Sequence, residues 1–264
     1  MKLPQISIVI PSYNKFTYLK ATLESIVAQK YPNLEIIIQD GGSTDGSVEI
    51  INNYAKKYPS IIKWESKKDN GQMDAINKGM KKAKGNLLMY INADDIYLKG
   101  AFRKVADAYI KNKDILWFAG RGIVINDKGK ENTSLVYKYG VKLYKDILLL
   151  LNRYSLLLTV NYLMQPSIFI TKKAYEKFGP FTGIREFVME YEIWLKIGKY
   201  QMPYIINKNI SAFRITETNI TSTQSSNLLG EDWKIVEKYT KNPLILFLHK
   251  VNNWGRNLIL FLIK

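Results

Sequence analysis

The chain contains no cysteine and a single histidine, His249, near its end. Disulfides, thiolate metal centres and a cysteine nucleophile are thereby excluded. A multi-histidine metal site is excluded too, and a Ser-His-Asp triad would hang on His249 alone. Acid–base chemistry near neutral pH must rest on Asp, Glu, Lys or Tyr, and any metal must be a hard cation held by oxygen. No apolar run approaches the ~18–20 residues of a membrane-spanning helix. The opening MKLPQISIVIPSYN lacks the pattern of a secretory leader, so the expected compartment is the cytoplasm. Acids are scarce: 23 Asp and Glu face 39 Lys and Arg, a net charge of +16. Such an excess draws nucleotide phosphates or an anionic membrane surface. The cations are scattered, with no aromatic platform or recognition motif, which argues against nucleic acid as a partner.

What is present is an alternation. Apolar runs at 6–10, 34–39 and 87–91 read as buried strands, IIKWES at 61–66 reads as a further strand, and helical spacing fills the gaps between them. Leu19, Leu23, Ile26 and Val27 share one helix face; Val48, Ile51 and Ala55 share another. A third helix spans MDAINKGMKKAKG, with Gly85 as its expected C-cap. The pattern over residues 6–112 predicts a doubly wound, mainly parallel α/β sheet. Beyond 113 it loosens into a strand through ILWFAGRGIVI with a hairpin at NDKGK, a leucine-rich helical region over 141–163, a strand at PSIFI and a helix over FVMEYEIWLKIGKY.

Ligands of such sheets bind at the carboxyl ends of the strands. Three polar clusters fall there: Ser12-Tyr13-Asn14, Asp40 to Asp45, and Asp94-Asp95. Adjacent carboxylates diverge, so one of Asp94 and Asp95 is free to face the crevice while the other caps a turn; a divalent cation carrying a diphosphate would explain the pair. Asp45 and Ser47 read as capping residues. Asp40, too far from the helix to cap it, suits the N3–H of a uracil-like base, and Tyr13 suits stacking on that base. In DNGQMDAINKG, Asp69, Asn70, Gly71 and Asp74 read equally as turn-and-cap residues or as part of the site. Glu190 and Glu192, two apart on a helix, point about 200° apart, so only one can face a pocket.

SIVIPSYN, IIIQDGGSTDGS, DNGQMDAINKG, YINADDIY, GPF and EYEIWLK stand in the order and spacing of the family 2 inverting glycosyltransferases, and over residues 5–221 the chain resembles that family. The resemblance implies a GT-A fold and transfer of a sugar from a nucleotide-sugar, with a UDP-sugar expected, to a glycan or lipid-linked acceptor hydroxyl. It implies nucleotide binding by Pro11, Tyr13 and Asp40, Mn2+ or Mg2+ at Asp94 and Asp95, a diphosphate contact at Arg214, and Glu190 as catalytic base. The sequence departs from the family's pattern at Asn92, where many members have the first Asp of DxD. It also departs at Gly41, at Glu190 in place of Asp, and at Met164 and Thr216 in place of histidines. The departures at Asn92 and Glu190 motivate the competing expectation of a non-catalytic nucleotide-sugar or glycan-binding module. Residues 1–224 are expected to form the transfer domain, with a nucleotide half (1–112) and an acceptor half (113–224). Residues 225–264 are expected to form a basic, amphipathic helical tail: no acid follows Glu237, while PLILFLHKV and NLILFLIK flank Trp254. That composition suits an anionic bilayer, as in surface polysaccharide assembly.

Overall fold

A computed structural model of the chain describes residues 2–182, 188–216 and 225–263, with side chains left out at 225–229 and 256–263. Strand β1 (Ile6–Ser12), helix α1 (Phe16–Val27), β2 (Leu34–Asp40), α2 (Ser47–Lys57), β3 (Ile62–Ser66), α3 (Gln72–Lys82) and β4 (Leu87–Tyr90) reproduce the alternation expected of the first half. A two-residue strand β5 (Ile96–Tyr97), α4 (Ala101–Lys111), β6 (Trp117–Ile125), a π-helical segment (Val136–Lys142) running into α5 (Leu143–Leu151), and α6 (Tyr154–Thr159) follow. The order continues with β7 (Ile168–Thr171), α7 (Lys172–Phe178), α8 (Met189–Tyr200), β8 (Tyr204–Arg214), α9 (Ser225–Tyr239) and α10 (Pro243–Ile263).

The strands form one mixed sheet in the order β3-β2-β1-β4-β7-β6-β8-β5. β3, β2, β1 and β4 are mutually parallel. β7 pairs antiparallel with both β4 and β6, and so ties the second half into the same sheet. β1 and β2 are buried along their whole length, which is why they read as unbroken apolar runs rather than alternating ones. Pro11 lies within β1, but the ladder to β4 ends at the bond from Ile91 N to the Val9 carbonyl. No amide is therefore demanded of the proline on that side.

Two glycines correct or sharpen the sequence reading. Gly85 is not a helix cap, since α3 ends at Lys82 and is capped by Ala83 in an extended conformation. A Cβ on Gly85 would lie 2.6 Å from Ser7 Oγ and 2.7 Å from Ser7 N, so its role is close backbone approach to β1. Gly79 lets α3 sit directly on β1, where a Cβ would come 2.3 Å from Val9 Cγ1. Gly79→Ala is expected to destabilise the fold in a urea melt. Overpacking costs about 1–3 kcal/mol, against a helix-propensity gain of about 1 kcal/mol. An unchanged or raised midpoint would mean that Val9 yields. The hairpin at NDKGK exists as a turn (Asn126 N to the Lys130 carbonyl, 2.9 Å), closed by a single bridge between Ile125 and Glu131 rather than by a second strand.

The C-terminal segment does not stand apart from the sheet domain. Ile235 and Val236 of α9 are fully buried, and Lys238 reaches Glu192 of α8 at 3.4 Å. His249 of α10 is buried, its Nδ1 3.1 Å from the Leu158 carbonyl of α6 and its Nε2 3.0 Å from Asn253 Nδ2. The histidine is therefore a packing residue. Among the described residues, no helix is long and apolar enough to cross a membrane.

Candidate active site

The carboxyl ends of β1, β2 and β3 stand level, with Ser12 opposite Asp40 and Asp40 opposite Ser66. Asp40 is almost completely buried. Its carboxylate accepts from Gly42 N (3.1 Å), Ser43 N (2.9 Å), Ser43 Oγ (2.5 Å) and Ser66 Oγ (2.7 Å). A carboxylate offers about four lone-pair sites, so these bonds already use Asp40 to shape the loop Gly41–Ser43. A second carboxylate stands beside that loop: a Cβ on Gly41 would fall 3.0 Å from Asp69 Oδ2, and Asp69 also accepts from Gly71 N at 2.9 Å. The missing side chain at 41 makes room for Asp69.

Tyr13 is 62% exposed, which excludes a core role and leaves its ring available at the strand end. The following residue, Asn14, takes a positive φ of 49° and is tied down by the loop: its N donates to Ser43 Oγ and its Oδ1 accepts from Thr44 N. Asp45 and Ser47 do not cap α2 as expected, since its N-cap is Gly46 without a side-chain cap bond; they serve the start of α1 instead. Asp45 accepts from Phe16 N at 2.9 Å, and Ser47 Oγ accepts from Lys15 N at 2.9 Å, fixing the start of α1. Asn70 is exposed and Gly71 adopts φ 99° just before α3. Asp74 accepts from Asn70 N (3.0 Å) and pairs with Lys78 (2.7 Å), which holds its carboxyl below its ordinary range. Both bonds brace the turn.

Asp94 and Asp95 separate as adjacent carboxylates at a turn must. Asp95 is fully buried; its Oδ1 accepts from Arg214 N at 2.8 Å, its Oδ2 lies 3.4 Å from Asn92 Nδ2, and its carbonyl accepts from Thr22 Oγ1 at 2.8 Å. Burial, then the adjacent Asp94 charge, pushes the Asp95 carboxyl well above the ordinary value. Asp94 keeps a small opening and pairs with Lys15 Nζ at 2.8 Å. Asn92, in the place of an acid, accepts from Gln72 Nε2 at 2.6 Å and so links the turn to the start of α3. Arg214 stretches across the base of the site: Nε donates to the Asp94 carbonyl (2.8 Å), and Nη1 to the carbonyls of Asn126 (3.0 Å) and Asp127 (2.9 Å). Its guanidinium lies 5.1 Å from the centre of the Tyr18 ring. The bonds just named brace the Asp94-Asp95 turn rather than reach outward.

The two helix acids are told apart. Glu192 is buried and directed to Lys238 of α9. Glu190, in the first turn of α8, lies 3.5 Å from the Tyr90 hydroxyl at the carboxyl end of β4. Enclosure by protein pushes the Glu190 carboxyl up to about 7, with the Asp232 charge on α9 adding to the rise and the Tyr90 hydrogen bond opposing it. Tyr90 is itself fixed by an edge-to-face contact with Phe181 (5.4 Å). Phe181 is held in turn by reciprocal bonds to Asn77.

Lys15, Tyr90 and Asp232 were not singled out as site residues by the sequence. Tyr90 lies within the apolar run 87–91 and read as core; Asp232 lies more than a hundred residues from β4. The only available signal for Lys15 was its place three residues after the end of β1.

Whether a divalent cation fits can be judged from the carboxylates. Among the described residues no cluster of three or more metal-binding side chains exists. Asp95 is sealed in and spends both oxygens on protein donors, which leaves Asp94. Mg2+-type sites commonly take one or two carboxylates and complete their shell with substrate phosphates and water. Asp94 fits such a site, with Lys15 as the cation it would have to exchange.

Comparison with known proteins identifies the family and the fold. Over 269 residues, covering 99% of this chain and 80% of the relative, the sequence is 25% identical to an uncharacterized glycosyltransferase of Rickettsia typhi. Over 110 residues, 41% of this chain and 12% of the relative, it is 33% identical to the minor teichoic acid biosynthesis protein GgaB of Bacillus subtilis. A mannosyltransferase from Pyrobaculum calidifontis, solved with GDP-Man and Mn2+, shares the fold at a TM-score of 0.70 and 16% identity, over 94% of this chain and 69% of its own. S. aureus TarS, solved with UDP-GlcNAc, does so at 0.62 and 15%, over 90% and 67%. The family model described as Glycosyl transferase family 2 matches residues 7–178, and this chain, an enzyme that transfers glycosyl groups, belongs to that family.

Proposed function

We propose that the protein is an inverting glycosyltransferase of the GT-A type. It moves a sugar from a nucleotide-sugar, a UDP-sugar in our reading, to a hydroxyl of a glycan or lipid-linked acceptor in surface polysaccharide synthesis at the inner face of the membrane. Residues 1–224 form the transfer domain and 225–264 a tail that supports it. The observation that carries the reading is that Glu190, alone of the two helix acids, stands against Tyr90 at the same sheet edge that presents Asp94.

In this reading Tyr13 stacks on the base, while Asp40 holds the Gly41–Ser43 loop against the base edge with Asp69, Asn70 and Gly71 alongside. Pro11 and Asp74 fix the strand end and the α3 turn that border it. Asp94 and Lys15 bound the diphosphate region, and Arg214 keeps the Asp94-Asp95 turn in place beneath it. Glu190 takes the proton of the acceptor hydroxyl as that oxygen forms its bond to the anomeric carbon. The bond from that carbon to the diphosphate oxygen breaks on the opposite face, and its electron pair leaves with the nucleoside diphosphate. Mn2+ or Mg2+, held by Asp94 together with the diphosphate, would neutralise charge on the leaving group.

A donor screen tests the reading. The protein would be incubated with UDP-, GDP- and dTDP-sugars, with Mn2+ or with EDTA, and released nucleotide counted. Release from one donor, lost with EDTA, is the expected result. Calorimetric binding of a donor without release, even with lipid extract added, would instead favour a binding module, the reading that Asn92 and Glu190 motivate. Tyr13→Ala should raise the donor KM with little change in kcat. Base–aromatic stacking of about 1–3 kcal/mol corresponds to roughly 5- to 150-fold; an unchanged KM would remove Tyr13 from the site.

A further inference from the structure

The π-helical segment with α5, and the outer face of α10, leave large apolar side chains in water. On the first, Leu135 (73% exposed), Val136, Tyr139, Leu143, Ile147, Leu150 and Leu151 are exposed. On α10 the exposed set is Leu244, Phe247, Leu248, Val251 and Trp254 (70%), a single stripe at helical spacing. The opposite face of α10 carries His249 and Asn253 and is buried. The two stripes border one another, because Tyr144 Oη donates to Asn252 Oδ1 at 2.6 Å. Patches of this kind on soluble proteins mark binding surfaces.

Charge says what the surface binds. Between Glu131 and Glu176 the only acid is Asp146, and it is neutralised by Lys142 at 2.7 Å with Arg121 at 3.7 Å. After Glu237 there is no acid, while Lys238, Lys241, Lys250, Arg256 and Lys264 remain. Lys138, Arg153, Lys241 and Lys250 are exposed around the stripes. A second copy of this chain would bring like charge to the contact and be repelled. An anionic bilayer matches both features: its headgroups attract the lysines at about 1 kcal/mol each, and its acyl boundary takes the apolar stripe. No described helix can span the bilayer, so the contact is with its surface.

We infer that α5 with its π-helical entry and the outer face of α10 form one docking surface for an anionic lipid bilayer. The inference deepens the transfer reading by placing the enzyme at the surface where a lipid-linked acceptor lies, and it rests on that reading only for its purpose.

Flotation with vesicles containing neither donor nor acceptor tests it separately from catalysis. Phosphatidylcholine vesicles would be compared with vesicles carrying about 30% phosphatidylglycerol, at low and high salt, for the parent and for the double variant Phe247→Glu/Trp254→Glu. Circular dichroism melts would verify that the variant folds. A second pair on α5, Ile147→Glu/Leu151→Glu, guards against failure of the first. The expected result is binding of the parent to anionic vesicles, at least tenfold weaker to neutral ones or at high salt, and at least tenfold weaker for a folded variant, with donor turnover in solution unchanged. Equal binding by parent and variants would overturn the inference, as would no binding to anionic vesicles. A concentration-dependent dimer that the variants dissolve, with no vesicle binding, would show instead that copies of this chain cover the surface.

Discussion

Glu190→Gln should lower transfer by roughly 10²–10⁴-fold, the range of a lost general base, while donor binding measured by calorimetry stays within a few-fold of the parent. The amide keeps the shape and the Tyr90 contact but cannot accept a proton. The pH profile follows from the environment. Only the ionised carboxylate can act as base, and enclosure raises this group to about 7. The rate constant kcat/KM should thus rise about tenfold per pH unit below 7 and level off above it. Asp232→Asn removes one of the causes of the rise, so its profile should shift toward acid. A flat profile between pH 5.5 and 8 in the parent would remove Glu190 from the role. Stability should mirror the same shift. Between pH 4.5 and 7 the folded carboxyl keeps a proton that the unfolded chain gives up, so this group destabilises the fold progressively as pH rises through that window. At pH 8 Glu190→Gln should therefore be more stable than the parent by something on the order of 2–3 kcal/mol, and the gain should vanish near pH 4. Loss of activity together with gain of stability is a signature that mere structural damage would not produce.

Asp94→Ala and Asp95→Ala should fail in different ways. Asp94 holds an ion pair with Lys15 and little else through its carboxylate in the bonds described. Removing it should leave the melt nearly unchanged and abolish metal-dependent donor turnover by on the order of 10²–10³-fold, several kcal/mol of leaving-group stabilisation. Manganese binding in the presence of UDP, followed by electron paramagnetic resonance, should be lost with it. Asp95 accepts the Arg214 amide inside the protein. Asp95→Ala deprives that buried N–H of its acceptor and should cost about 1–3 kcal/mol of stability, with Mn2+ binding retained in whatever fraction stays folded. A stable Asp95→Ala protein that no longer binds Mn2+ would reverse the assignment. Lys15→Ala adds a further check, because a cation that must exchange with the lysine should bind more tightly to the enzyme without donor once the ammonium is gone.

Periodicity and the punctuation of the chain were enough to place the four parallel strands and the helices between them: the fully buried β1, β2 and β4 read as largely apolar runs, and the partly exposed edge strand β3 was marked by its place between two helices. They also placed Tyr13, Asp40 and Asp94 at strand ends, because register is local to neighbouring runs and a parallel sheet brings its carboxyl ends to one edge. The motif spacing was enough to identify the family. The resemblance named Glu190 as the base and left the metal to Asp94 and Asp95 together; the tertiary structure alone decided what surrounds each member of the two acid pairs. Asp94 and Asp95 are neighbours in sequence and differ only in what surrounds them, one enclosed beneath Arg214, the other at the opening beside Lys15. Glu190 and Glu192 differ because α9 brings Lys238 to one and Asp232 toward the other. Gly85 looked like a helix stop and proved to be a close contact with Ser7, a constraint imposed by a strand some eighty residues away. The tail, read from composition as one greasy basic segment, divides into an inner face packed on α6 and α8 and an outer face left in water. Composition sums over both faces of a helix, and only packing against a partner separates them.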